Sequence, residues 1–385
     1  MGSQYDVIVI GVGGMGSSVC YHLAERGLRV LGIDRFSIPN TLGSSHGESR
    51  IIRLAYYEHP SYVPLLRRAY RLWRELERGC GRRLLLMTGV INAGPEEGRV
   101  FAGALQSSRE HGLRHEVLTA EAANRRWPAL RLPPAALVLV EPEGGILLPE
   151  LCVMAHADKA RAAGAEILEG VRALVWMPAG DGVEVRTETG AHRASRLVVS
   201  AGPWNADLLG PAFEGLLRPE RQVVAWLRPS RPEWFAFGRL PVWIVEAPEG
   251  EFYGFPMHGV PGFKLGRFGH RGEVVHPDTM NRSSEPEDED LLRAFAARFF
   301  PAGDGPAARM ETCLFTNTPD HHFLIDRHPD HSQVVIAGGF SGHGFKFCSV
   351  VGEIVADLVT EHDPGFDLSL FALNRFLVGR SLGHP

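Results

Sequence analysis

Residues 5–34 read Y-D-V-I-V-I-G-V-G-G-M-G-S-S-V-C-Y-H-L-A-E-R-G-L-R-V-L-G-I-D, and this stretch decides the fold. Its first six residues are a short β-branched strand. Gly11, Gly13 and Gly16 follow in the G-x-G-x-x-G spacing, a helical pattern spans residues 17–26, Gly27 stops it, and a second strand over 29–33 ends at Asp34. Such a β-α-β unit binds a dinucleotide: the glycines let the backbone approach a pyrophosphate at the helix N-terminus. An acid about 20 residues further on holds a ribose hydroxyl. Asp34 disfavours a 2′-phosphate, which leaves FAD or NAD.

Working outward, three segments belong with this unit. R-L-V-V-S-A-G-P-W at 196–204 is a strand closed by Ala201-Gly202 and followed by a Pro-started helix. A helix over 151–163 leads to a strand near 166–168. A late buried strand, 333–337, runs into G-G-F-S-G-H-G-F-K-F at 338–347 and a helix to about residue 360. The glycines there allow either a tight strand–helix turn or a second cofactor contact from the far end of the chain. A sheet assembled from both ends, with material inserted between, is the expectation that follows.

The inserted material differs in character. Strand-like runs at 223–227, 242–246, 252–255 and 263–268, punctuated by Pro and Gly, suggest an antiparallel sheet. The expected fold is α/β: a discontinuous Rossmann-like cofactor domain (1–85, 146–218 and 318–385) and a substrate domain with a mainly antiparallel sheet and helices (86–145 and 219–317). Ser284-Glu285-Pro286-Glu287 reads as the cap of a helix reaching about residue 300.

The 385 residues, 44% hydrophobic and 22% charged, suit a soluble two-domain protein. A net charge of −5 gives no reason to expect nucleic acid or an anionic membrane, and no apolar run reaches the length of a membrane span. The first residues lack the features of a signal peptide or myristoylation site, and S-L-G-H-P at 381–385 is no peroxisomal address. Five scattered cysteines, with no C-x-x-C pair, suggest reduced thiols in the cytoplasm and no metal site.

Only three lysines occur, so Arg supplies the other 37 of 40 basic residues. Where Lys survives such a bias, its compact, tunable charge is a candidate reason. Lys159 sits at a solvated helix end, whereas Lys264 and Lys346 lie among apolar residues and glycines. Arg50 and Arg53, in R-I-I-R, are either surface arginines or two cations sharing one face at helical spacing.

Together the blocks S-S-H-G-E-S-R-I-I-R (44–53), Y-G-F-P (253–256), K-L-G (264–266), C-L-F-T-N-T-P-D-H-H-F-L-I-D (313–326) and G-F-S-G-H-G-F-K (339–346) resemble the monomeric sarcosine oxidase and N-methyltryptophan oxidase family over nearly the whole chain. The resemblance implies FAD, and oxidation of a secondary amine bearing a carboxylate, with O2 reduced to hydrogen peroxide. It implies that FAD is attached covalently through Cys313. Cofactor contacts then fall on Gly11, Gly13, Gly14, Gly16, Asp34 and Ser45 at one end of the chain, and on Gly342, His343, Gly344 and Lys346 at the other. It also implies that Arg53 and Lys346 hold the substrate carboxylate, with Tyr253 as a wall. Lys264 stabilises the developing superoxide anion, and Arg50 and His46 lie near the flavin. The cations would lower the bound amine's pKa, so that the neutral amine reacts.

Two positions depart from the family pattern. Phe268 stands where a His is usual and Phe315 where a Tyr is common; His270, two residues on, would face the same way on a continuing strand. Both changes remove polar groups from the expected site, so the expected substrate is larger or more apolar than sarcosine: an N-methyl or cyclic amino acid. A monomer is expected. The main alternative is an FAD-dependent amine dehydrogenase passing electrons to a quinone or protein; an NAD-dependent dehydrogenase and a non-catalytic flavin sensor fit less well.

Overall fold

In the computed structural model residues 4–376 are described; residues 1–3 and 377–385, with the S-L-G-H-P terminus, lie outside the described residues. Two eight-stranded sheets dominate. The first is centred on Tyr5–Ile10, which pairs in parallel with Val30–Ile33 on one side and Gly190–Val199 on the other. Glu166–Leu168 extends it beyond Val30–Ile33, and Val334–Gly338 pairs in parallel with residues 197–199. Strands from both ends of the chain therefore meet in one sheet, as the sequence suggested. Their residues are buried almost throughout, as parallel strands covered on both faces must be. An antiparallel extension, Ala173–Ala179 and Gly182–Thr187, continues from the first half of Gly190–Val199.

Helices Gly14–Glu25, Pro149–Ala162 and Cys348–Val359 pack together over this sheet. The first begins inside the glycine motif, three residues earlier than the sequence pattern indicated, because Gly13 already caps it. At Gly352 a Cβ would come within 2.1 Å of Ser18 Oγ, so a side chain there would force the first and last of these helices apart.

The second sheet runs in the order Ala307–Asn317, Arg218–Leu227, Phe263–Arg267, Gly250–Phe255, Val242–Ala247, Val90–Pro95, Ala136–Glu141, Glu116–Thr119. All neighbours are antiparallel except Val242–Ala247 with Val90–Pro95. One face is covered by helix Pro286–Phe299, whose N-terminus carries the expected cap as a reciprocal box between Glu285 and Asp288. Trp243, Phe263, Phe295 and Phe300 form an aromatic core beneath it.

Residues 50–53 correct one expectation. They are not helical: Arg50–Ile52 is a strand, paired antiparallel with Gly145–Leu147, and Leu85–Met87 completes this third sheet. Two adjacent β-branched residues favour extended backbone, and a ready partner strand decides the matter.

Candidate active site

A long cleft runs along the C-terminal ends of the parallel strands. It has a volume of about 210 Å³ and borders Gly11, Gly13, Gly14, Asp34 and Ser45 from one end of the chain, and Gly342 and Gly344 from the other. The glycines here have different causes. A Cβ on Gly16 would lie 1.8 Å from the Gly11 carbonyl oxygen, and one on Gly11, at φ +88°, would strike Ala201 and Ser200. Gly13 has no such constraint: the nearest atom to a Cβ there is Ser45 Oγ, 3.9 Å away. The protein itself does not require glycine at Gly13, so the space beside it suits a bound group. Its neighbour Gly14 donates its N–H to Ser45 Oγ at 3.2 Å. Asp34 accepts from the Val12 and Phe36 N–H groups at 2.8 and 2.9 Å, and a carboxylate retains capacity for further donors. Burial raises its pKa despite those bonds.

The C-terminal glycines answer to packing as well. A Cβ on Gly342, at φ +77°, would lie 2.4 Å from the Phe315 ring, and one on Gly344 the same distance from Phe340. The tight strand–helix turn is present, and the same block borders the cleft.

A second, narrower cavity of about 50 Å³ adjoins the first and draws on the second large sheet, the small third sheet and the turn that follows Val334–Gly338. It brings together His46, Arg50, Arg53, Tyr253, Phe268, Cys313, Phe315, His343 and Lys346, residues spread over three hundred positions; Lys264 is not on its wall but bonds to Gly47 and Ser49, which are. Strand alternation explains part of this: Cys313 and Phe315, on Ala307–Asn317, share a face. Arg53 follows immediately after its short strand, so it and Arg50 reach the same cavity without helical spacing.

One pole of the cavity is cationic. Arg53 Nη2 lies 2.7 and 2.6 Å from the two Glu58 oxygens, and Nη1 donates to the Ala55 carbonyl at 2.9 Å. Its guanidinium carbon sits 4.2 and 4.3 Å from the centres of the Tyr56 and Tyr57 rings. Burial opposes the Arg53 charge, but Glu58 beside it holds the pKa above its ordinary value. Lys346 lies in the single turn Phe345–Phe347 and donates to the His343 carbonyl at 2.6 Å. Burial, reinforced by Arg53, lowers its pKa to about 7. His343 Nε2 lies 2.9 Å from the His321 carbonyl, which makes Nε2 the donor and leaves Nδ1 to accept from Tyr56 Oη at 2.5 Å.

At the other pole Lys264, on Phe263–Arg267, lies behind the lining residues Gly47 and Ser49. Nζ donates to the Gly47 carbonyl (2.5 Å), the Ser49 carbonyl (3.2 Å) and Ser49 Oγ (3.0 Å). Burial and then Arg50 lower its pKa to about 7. Arg50 fastens the same loop through the carbonyls of Ser49 and Ser44, at 2.9 and 3.0 Å. His46 is buried with both ring nitrogens unpartnered, and burial, with Arg50 and Lys264 nearby, lowers its pKa to about 3. Burial raises the pKa of the Cys313 thiol, while Arg50 and Lys264 pull it down. Unpartnered His46, the open space beside Gly13 and the Cys313 thiol are features that FAD would fit.

His270 does not replace the missing polar group at Phe268. The strand ends at Arg267, Gly269 turns at φ +67°, and His270 Nε2 instead meets Asp288 Oδ1 at 2.8 Å, away from the cavity. Tyr253, Phe268 and Phe315 form a continuous aromatic wall, with ring centroids 4.9 and 6.0 Å apart. Three carboxylates escaped the sequence reading. Glu58 neutralises Arg53, Glu141 accepts the N–H groups of Leu54 and Ala55, and Glu311 enters the cavity two residues before Cys313. For Glu311 the signal was available in the period-two spacing from Cys313; for the others only tertiary contact reveals it.

The fold, the glycine cradle and the second cavity at its end define an FAD-dependent oxidoreductase. A family model described as DAO, FAD dependent oxidoreductase, matches residues 6–358. The chain belongs to that family, and within it to the monomeric sarcosine oxidase group. It is 40% identical over 386 residues to monomeric sarcosine oxidase of Bacillus sp. strain B-0618, covering 99% of each chain. It is 36% identical over 375 residues to N-methyl-L-tryptophan oxidase of Citrobacter koseri, covering 97% of this chain and 99% of that one. Among solved structures it is similar to NikD, an unusual amino acid oxidase essential for nikkomycin biosynthesis, with a TM-score of 0.83, 29% identity, and coverage of 96% and 98%. No described helix is long and apolar enough to cross a membrane.

Proposed function

We propose that this protein oxidises a secondary amino acid, N-methylated or cyclic and more apolar than sarcosine, at its C–N bond, and passes the electrons to O2 to give hydrogen peroxide. The observation that carries the reading is one small cavity with Cys313 on its wall, Arg53 and Lys346 at one pole and Lys264 serving the other. Bound FAD supplies the two-electron acceptor. Lys346 and Arg53 orient the substrate carboxylate by charge-assisted hydrogen bonds. Because Glu58 cancels one of those two charges, the pole carries one net positive charge for one carboxylate. Arg50, held only by carbonyls, keeps its charge and lowers the pKa of the bound amine, so the neutral form is held ready to react. Phe268, Phe315 and Tyr253 exclude water from the other side of the substrate. Their volume narrows the cavity, which favours an apolar substituent over sheer size. Lys264 provides a fixed positive charge where O2 gains its first electron.

The relatives named for sarcosine and N-methyltryptophan support the substrate class, and the Phe268–Phe315 wall supports the shift toward an apolar one. We assign Cys313 as the covalent flavin attachment point, Asp34 as ligand of the ribose, and Ser45 and the Gly11–Gly16 turn as ligands of the pyrophosphate. A cytoplasmic monomer fits the five free cysteines.

The test compares kcat/KM for sarcosine, N-methyltryptophan, proline and pipecolate. Preference for one of the last three is expected, and a clear preference for sarcosine overturns the substrate assignment. Peroxide formed in air should approach one per turnover; a value near zero makes the enzyme a dehydrogenase. Flavin fluorescence on a denaturing gel should be present in the parent and absent in Cys313→Ala.

A further inference from the structure

We propose that Glu311 is a positioning residue that keeps Lys264 in its ammonium form by opposing Arg50 across Gly47. The inference deepens the oxygen reading above and rests on it. Three charged groups converge on one point of the backbone: a Cβ placed on Gly47 would lie 3.4 Å from Arg50 Nη1, 3.5 Å from Lys264 Nζ and 3.7 Å from Glu311 Oε2. Glycine at this position, with φ +93°, leaves the space between them open.

The hydrogen bonding at Lys264 accommodates a cation. Its three partners can accept all three N–H bonds of an ammonium; a neutral amine would fill the two carbonyls and take its third bond from the Ser49 hydroxyl as donor. Desolvation and Arg50 both work against that charge. The strands flanking Lys264 face it with the Trp226 and Phe255 rings, 5.1 and 4.9 Å away, and contribute no formal charge.

The groups that favour the Lys264 charge are Cys313, then Glu150 and Glu311. Glu150, in the first turn of Pro149–Ala162, accepts the Gly47 and Glu48 N–H groups at 2.7 and 3.0 Å. Glu48 is paired with Arg309. Glu311 gives Oε1 to Arg309, but its Oε2 is buried without a hydrogen-bond partner and turned toward Gly47, with His46 Nδ1 at 3.9 Å. That free oxygen forms no direct ion pair with Lys264 and acts on it across the space at Gly47. His46, with Arg282 among its neighbours, is held neutral and does not compete for it.

The chain's three lysines make the test direct. Holoenzyme grown with ε-13C-lysine should show three titratable side-chain signals, assigned with Lys264→Met. Glu311→Gln should lower the Lys264 midpoint by roughly one pH unit, and Glu311→Asp should restore most of it. Arg309→Met, which unmasks Glu311, should move the midpoint the opposite way. The high-pH limb of flavin reoxidation by O2 should follow the midpoint in each variant. If Lys264→Met slows reoxidation but the midpoint is unmoved in Glu311→Gln and Arg309→Met, Glu311 has no such role. If Lys264→Met reoxidises as fast as the parent, the oxygen reading itself falls.

Discussion

Arg53 and Glu58 are joined at two points: one guanidinium nitrogen, Nη2, reaches both carboxylate oxygens at 2.7 and 2.6 Å, with both side chains buried. Glu58→Gln leaves Arg53 an uncompensated buried cation. Such a break costs about 3–5 kcal/mol, so the melting temperature should drop sharply. A carboxylate ligand supplies the missing charge, so the substrate-induced rise in Tm should be larger in Glu58→Gln than in the parent. Differential scanning fluorimetry with and without substrate reads both effects.

Lys346 has a pKa lowered to about 7 in the free protein, first by burial and then by Arg53. Only its ammonium form holds a carboxylate. Its contribution is present below that pH and lost above it, so substrate Kd should rise as pH climbs past 7 and level off where Arg53 alone holds the carboxylate. Anaerobic titration of the flavin measures this, and Lys346→Met should bind weakly with a flattened pH profile.

The cradle glycines separate folding from cofactor binding. Gly16→Ala places a Cβ 1.8 Å from a carbonyl oxygen and should yield little soluble protein. Gly13→Ala meets nothing nearer than 3.9 Å and should fold, yet lose FAD affinity by tenfold or more because the methyl occupies the pyrophosphate's place. Circular dichroism reports the first property and reconstitution with FAD the second; equal folding with undiminished FAD binding in Gly13→Ala contradicts the cradle assignment.

Asp288 anchors a buried charge cluster outside the cavity, with Arg221 Nη2 at 2.8 Å and His270 Nε2 at 2.8 Å. Burial opposes its charge, but hydrogen bonds from Arg221, the Glu285 N–H and His270 hold its pKa well below that of an ordinary carboxylate. Its stabilising contribution is therefore present above about pH 4, the unfolded value, and lost as pH falls toward the native one. Asp288→Asn should cost about 3–5 kcal/mol at neutral pH, weaken the acid dependence of urea unfolding, and leave the flavin spectrum unchanged.

Local pattern determined much of this protein. The β-α-β unit at the N-terminus, the late strand and helix around Val334–Gly338 and Cys348–Val359, the Glu285 cap and the survival of Lys264 and Lys346 are all readable from short windows. Each depends on backbone geometry or side-chain chemistry within a few residues, and the family resemblance extended that reading to the residues of the cavity.

Tertiary structure decided what depends on partners distant in sequence. R-I-I-R is a strand because Gly145–Leu147 lies beside it, and His270 leaves the cavity because Gly269 turns the chain toward Asp288. Glu58, Glu141 and Glu311 acquire their roles from the cations and N–H groups the fold brings to them. Spacing from Cys313 could place Glu311 on the cavity face, but not the charges it meets there, because the strength of an electrostatic interaction depends on separation in space and on burial, and folding sets both.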